Sequence, residues 1–324
     1  MALRFRLRKL NKKAVFFTFV ACVFLSLLIF SSSIGKNYDM REESFVMETR
    51  IATMSMFVED VEEDIERAAY IAGFRSVVAL VDNIISTGEY ISDVNSSFRE
   101  LFFNGTIEGS NSSLLVNNTF NHWINKIKQE ADKINLDVNF TTESLNIYQD
   151  NPWNIKIDLD MGIKVSDDED ISSWSRDKTV SSYIELEGFE DPFYVLGTNG
   201  LVENRVERTT WRNFTDGSDI SNLLNHTYEG YYVNFAGAPS YLMRLEGDFG
   251  ESEYGIESLV DIDELSSKGV STKDKTIVDY IYFSSDDPAN YHVSGAPSWF
   301  KLDNTTNMHG NQSHLVLYEV EELT

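Results

Sequence analysis

The chain has almost no cysteine: Cys22 stands alone among 324 residues. One thiol builds no disulfide framework, so any folded domain here must be held by packing. Proline is scarce as well, five in all, and none precedes Pro152. The first 151 residues therefore lack the strongest helix breaker. Basic residues are outnumbered: 27 Lys and Arg against 52 Asp and Glu give a net charge of -25. Nucleic-acid binding rests on basic side chains neutralising phosphate, so no nucleic-acid partner is expected. Histidine is limited to His122, His226, His292, His309 and His314, with no HxH or HExxH spacing, and these read as surface residues rather than zinc ligands. A P-loop, a Gly-rich dinucleotide fingerprint and a GxSxG turn are also missing from the sequence. The expectation is a protein that is not an enzyme and carries no cofactor, calcium excepted.

What is present begins at the amino terminus. Arg4, Arg6, Arg8, Lys9, Lys12 and Lys13 precede a charge-free apolar run from Ala14 to Phe30, and no comparable run follows. With the small residues Ser31 to Gly35 the run nears the ~20 residues a helix needs to cross a bilayer. Basic flanks stay on the cytoplasmic side. The sequence thus divides into a cytoplasmic head (1–13), a transmembrane helix in contact with lipid (14–35), a helical stalk and subdomain (36–135) and a β-rich extracytoplasmic domain (136–324). The expected location is the cell membrane, crossed once, with the bulk of the chain outside.

Three readings of the segment stay open: a retained anchor, a cleaved secretory peptide with Ser31 and Ser33 at its end, and a signal cut before the apolar helix. The third rests on Lys12-Lys13-Ala14 followed by Val15-Phe16-Phe17-Thr18-Phe19, which resembles archaeal type IV pilin-like and pseudopilin-like surface proteins. The resemblance covers about thirty residues, and Phe19 stands where bacterial pilins carry a glutamate. It implies a long amino-terminal helix, a β-rich head and a place in a surface assembly.

From Tyr38 to about Ile85 the pattern is helical, with Gly73 the one glycine between Lys36 and Gly88. Met47, Ile51, Met54, Val58, Val61 and Ile65 form a narrow apolar stripe bordered by carboxylates. A stripe of this kind wants a covering helix, from a second copy or another surface or filament subunit. A break is expected at Ser86-Thr87-Gly88, with further helices over Glu89 to Phe103 and Thr119 to Ile134.

After Leu136 short alternating runs predict an antiparallel, sandwich-like head. Expected strands include Leu145 to Tyr148, Trp153 to Leu159, Ile163 to Val165, Val180 to Leu186, Phe193 to Leu196, Leu201 to Arg208, Tyr231 to Phe235, Tyr241 to Leu245, Ile277 to Phe283, Trp299 to Leu302 and Leu315 to Val320. The fold class is α+β. The echo of Gly237-Ala238-Pro239-Ser240-Tyr241-Leu242 in Gly295-Ala296-Pro297-Ser298-Trp299-Phe300 marks two turn-to-strand corners.

Two kinds of site stand out. Asp167, Asp168 and Asp170, with Asp158 and Asp160 upstream, form an acidic cluster able to offer oxygens to calcium or to make a solvated turn. Nine N-glycosylation sequons begin at Asn95, Asn104, Asn111, Asn117, Asn139, Asn213, Asn225, Asn304 and Asn311, all beyond the apolar run. Together these features predict a structural or adhesive cell-surface glycoprotein. The alternatives are a ligand-sensing ectodomain with a separate signalling partner, and an anchored glycan hydrolase.

Overall fold

A computed structural model describes residues 12–167, 172–306 and 312–320, with side chains over 16–31 and from 45 onward within those spans. One helix, α1 (Lys12–Thr87), runs for 76 residues, about 110 Å at 1.5 Å per residue. It continues this far because nothing breaks it. It ends where expected: Gly88 takes a left-handed φ of 73° and its N–H caps the carbonyl of Ile84. Two further helices follow, α2 (Val94–Asn104) and α3 (Phe120–Asp132), capped by the side chains of Asp93 and Thr119. Between them lie a small ribbon, β1 (Thr106–Ile107) with β2 (Ser110–Asn111), and a 3₁₀ turn at Ser113–Leu115.

The chain then makes one three-stranded antiparallel sheet, β3 (Leu136–Asn151), β4 (Asn154–Asp167) and β5 (Ser173–Glu185), with β4 in the centre. The runs predicted as several short strands here belong to these three long ones. Alternation decides the faces. Leu145, Ile147, Ile155, Ile157, Leu159, Val180 and Ile184 point inward and are buried. Their partner layer is helical: α1 lies against β4 and β5, and α3 against β3. The sandwich-like expectation is therefore corrected to helices on a sheet. Gly73 permits the close crossing, because a Cβ there would overlap the Ile157 side chain.

Four of the six stripe residues, Met54, Val58, Val61 and Ile65, are buried, and Met54, Val58 and Ile65 join the core that the sheet contributes to, so the protein's own fold covers them. Met47 and Ile51 are exposed. Part of the acidic border is also used at home: Arg176 pairs with Glu62 at 2.9 Å, Lys178 with Glu66 at 3.2 Å, and Trp123 Nε1 donates to Asp64 at 2.7 Å.

Among the described residues, one helix is long and apolar enough to cross a membrane by length and composition. The qualifying stretch is Phe45–Thr87, 56% of whose most apolar window is buried within the protein. Burial on that scale makes it a core helix. The shorter apolar stretch Phe16–Ser31 is different, because its large side chains, Phe16 to Phe30, stand exposed.

Beyond β5 the expected meander gives way to short helices: α4 (Pro192–Gly197), α5 (Ser221–Tyr228), α6 (Tyr241–Glu246), α7 (Ile262–Ser267), α8 (Asp279–Phe283) and α9 (His314–Leu317). Interleaved are two ribbons, β6 (Tyr232–Asn234) with β7 (Ile256–Ser258), and β8 (Asn290–His292) with β9 (Lys301–Asp303). The strands predicted at Phe193 to Leu196, Tyr241 to Leu245, Ile277 to Phe283 and Leu315 to Val320 are helical turns, and Leu201 to Arg208 holds only isolated bridges. The reason is local. Apolar runs of five or six residues carry no readable period, whereas caps decide them. Asp191 with Pro192 opens α4, Ser240 opens α6 and Ser313 opens α9. The first echo segment thus enters a helix; only the second enters a strand. A second apolar core, containing Leu223, Val260, Ile277, Phe300 and Tyr318, sits within this part of the chain.

Candidate functional site

The densest chemistry gathers around β7, whose three residues are all fully buried. Alternating side chains of this strand feed two polar clusters. Ser258 belongs to the first. Its hydroxyl and N–H both donate to Asp279 Oδ2, at 2.8 and 3.0 Å. Asp279 also accepts from Arg244 Nη1 at 3.0 Å, and the same nitrogen donates to Asp191 Oδ2 at 2.5 Å. A second guanidinium nitrogen donates to the Ile256 carbonyl. Tyr232 adds a hydroxyl to Asp191 at 2.7 Å, and Phe193 lies under the guanidinium at 4.8 Å. All three charged side chains are fully buried. Burial pushes the Asp191 carboxyl up despite Arg244, because one cation is shared between two acids. Burial also opposes the Arg244 charge, but the two aspartates outweigh it and hold it above its ordinary value.

Glu257 belongs to the second cluster. Its carboxylate lies 3.3 Å from His314 Nε2 and accepts from Tyr318 at 2.9 Å. His314 Nδ1 reaches Asp303 at 2.9 Å, and Thr276 donates to the other Asp303 oxygen at 2.9 Å. Burial pulls the imidazole down, but Glu257 and Asp303 outweigh it and raise it to about 10. Burial pushes Glu257 up further than His314 lowers it. Burial pushes the Asp303 carboxyl up, but the hydrogen bond and charge of His314 together with the Thr305 bonds outweigh it, and the carboxyl falls below its usual value. An acid–imidazole–acid line resembles catalytic machinery in composition. The Tyr280 hydroxyl also lies 3.2 Å from His314 Nε2, and the imidazole is only 1% exposed, so the line is closed to solvent.

His226 is also buried, against the expectation of surface histidines, while His122 and His292 are exposed and His309 lies outside the described residues. Phe214, Tyr231 and Tyr318 surround it, and both ring nitrogens lack a hydrogen-bond partner. Burial lowers it to about 4. The unfolded chain takes up this proton first, so stability is full above about pH 6.5 and falls as pH drops toward 4. The loss amounts to about 3 kcal/mol at most. His226→Phe should flatten the melting temperature between pH 7 and 4.5; an undiminished acid slope in the variant would refute this.

Asp167 is buried and pairs with Arg50 at 3.3 Å, while Asp168 and Asp170 lie outside the described residues. Asp158 and Asp160 sit on the outer sheet face and are held by hydroxyls. Tyr148 and Ser181 donate to Asp158, and Ser144 and Thr179 to Asp160, all within 2.6 Å. Among the described residues, no group of three or more His, Cys, Asp or Glu is placed to hold a metal ion. Of the sequon asparagines, Asn95, Asn104, Asn111, Asn117, Asn139, Asn213, Asn225 and Asn304 are exposed, and Asn311 lies outside the described residues.

A groove of about 430 Å³ runs between Phe74, Val78 and Ile85 of α1 and the Gly188-Phe189 segment, with Asp82 and Glu187 also lining it. Sequence reasoning missed Arg244, Asp191, Asp279, Glu257 and His314. One available signal was Asp191-Pro192, a helix-start pair that buries its aspartate. No protein-family model, curated protein or solved structure matches this chain.

Proposed function

We propose that this protein is a single-pass, membrane-anchored surface subunit with a structural or adhesive role, of the pilin-like kind. Its amino terminus is cytoplasmic and its folded part extracytoplasmic. One observation carries the reading. A single unbroken helix has an exposed apolar stretch, Phe16–Ser31, at one end and packs its other end on an antiparallel sheet. Exposed Phe16, Phe24 and Phe30 are unfavourable in water and favourable in lipid. The buried ion networks, closed to solvent, support a structural role over a catalytic one. The groove beside Phe74 supports a second reading, a ligand-sensing ectodomain.

Assembly is the test. Burial of Met54, Val58, Val61 and Ile65 leaves Met47 and Ile51 as the unpartnered part of the stripe, both exposed. Detergent-solubilised protein should run larger than a monomer. Met47→Glu with Ile51→Glu should reduce it to a monomer while leaving its melting temperature within about 2 °C, as surface changes do. Wild-type protein that sediments as a monomer would count against the assembly role.

A further inference from the structure

Position within the fold separates the sequons into two chemical classes. A sequon works only if the Asn amide and the hydroxyl two residues on are presented together. In a strand, residues i and i+2 share a face; in an α-helix they lie about 200° apart around the axis. Asn139 and Thr141 are on β3, an edge strand, and both are exposed. The Thr141 hydroxyl has only a 3.4 Å contact with the Gly162 carbonyl. Asn111 ends β2 and Ser113 begins the 3₁₀ turn after it, outside the strand rule; both side chains are exposed on this short corner. Asn225 is the opposite case. It lies in α5, and Thr227 is 1% exposed with its hydroxyl bonded to the Leu223 carbonyl at 3.0 Å. Asn95 and Ser97 lie within α2, on different sides.

The remaining described sequons have committed hydroxyls. Thr106 donates to Glu100, Thr119 caps α3, and Thr215 donates to the Glu319 carbonyl. Asn304 and Asn311 border or fall among residues outside the described ones.

We propose that Asn111 and Asn139 are N-glycan acceptors in the folded protein, and that Asn95 and Asn225 are not. The donor is an oligosaccharide carried on a polyprenyl phosphate. The amide nitrogen bonds to the anomeric carbon, the carbon–oxygen bond to the phosphate breaks, and the phosphate leaves with the electron pair. One amide proton is released, and nothing is oxidised or reduced. The resulting coat spares the long helix, since no sequon precedes residue 95. The exposed Met47 and Ile51 thereby stay open to a neighbour.

This inference rests on the extracytoplasmic reading, and the experiment separates the two. Protein purified from its own membrane is analysed by glycopeptide mass spectrometry, beside Thr141→Ala and Thr141→Ser variants and after protease treatment of intact cells. Glycan is expected on the Asn111 and Asn139 peptides and absent from those of Asn95 and Asn225. Thr141→Ala should lose the Asn139 glycan alone, and Thr141→Ser should keep it. A bare Asn111 or Asn139, or glycan on Asn95 or Asn225, overturns the assignment. Bare peptides that external protease still removes leave the extracytoplasmic reading standing; bare and protected peptides sink both.

Discussion

Replacing Arg244 with methionine is expected to cost about 3–5 kcal/mol, a large share of the roughly 5–15 kcal/mol by which a domain is folded. The loss comes less from the pairs themselves than from what is left behind. Asp191 and Asp279 would remain fully buried with no cation, and the Ile256 carbonyl would lose its donor. A buried charge without a partner is far costlier than an exposed one. Arg244→Lys should recover only part, because a single ammonium cannot span two carboxylates and a carbonyl as the planar guanidinium does. Adding Asp191→Asn and Asp279→Asn to Arg244→Met should restore part of the loss by removing the stranded charges. Urea midpoints for the four proteins test the ranking. If Arg244→Met keeps the wild-type midpoint, the cluster does not hold this half of the chain together.

The parts of the fold legible in the sequence are those governed by neighbours in the chain. The helix-breaking Ser86-Thr87-Gly88, the third helix beginning at Thr119, and the period-two runs of β3 to β5 all act over a few residues. The stripe Met54, Val58, Val61, Ile65 was equally visible, but its partner was not. A sheet and a second helix present the same apolar demand to α1. The buried clusters were illegible for a stronger reason. Arg244 meets Asp191 and Asp279 across 53 and 35 residues of chain, and no local pattern encodes such a meeting. In sequence, Glu190-Asp191-Pro192 reads as one more acidic turn in a chain crowded with carboxylates. α4, α6 and α9 were missed because four to six residues cannot display a 3.6-residue period; the capping side chains of Asp191, Ser240 and Ser313 were the better signal.

His314 should make the protein lose stability on the alkaline side. Its folded value of about 10 lies above the roughly 6.5 of an unfolded histidine. Below about pH 6.5 both states hold the proton and the full stabilisation is present. Between 6.5 and 10 the native state keeps the proton that the unfolded state releases, so stability falls by up to about 1.4 kcal/mol per pH unit. Two acids respond on the other side, in opposite senses. Asp303 is lowered, so its contribution is lost as acid protonates it. Glu257 is raised, so protonation favours the folded form. Their effects offset in acid, and the alkaline limb is where the histidine is read cleanly. His314→Gln keeps a hydrogen-bonding side chain but removes the charge between Glu257 and Asp303. The variant should be less stable by about 3–5 kcal/mol at pH 7, as expected when one partner of a buried ion network is removed. Its melting temperature should then change little from pH 7 to 9.5, while that of the wild type falls steadily. Parallel curves for the two proteins would show that the folded chain does not hold the imidazole proton more tightly than the unfolded chain, and would overturn the raised value.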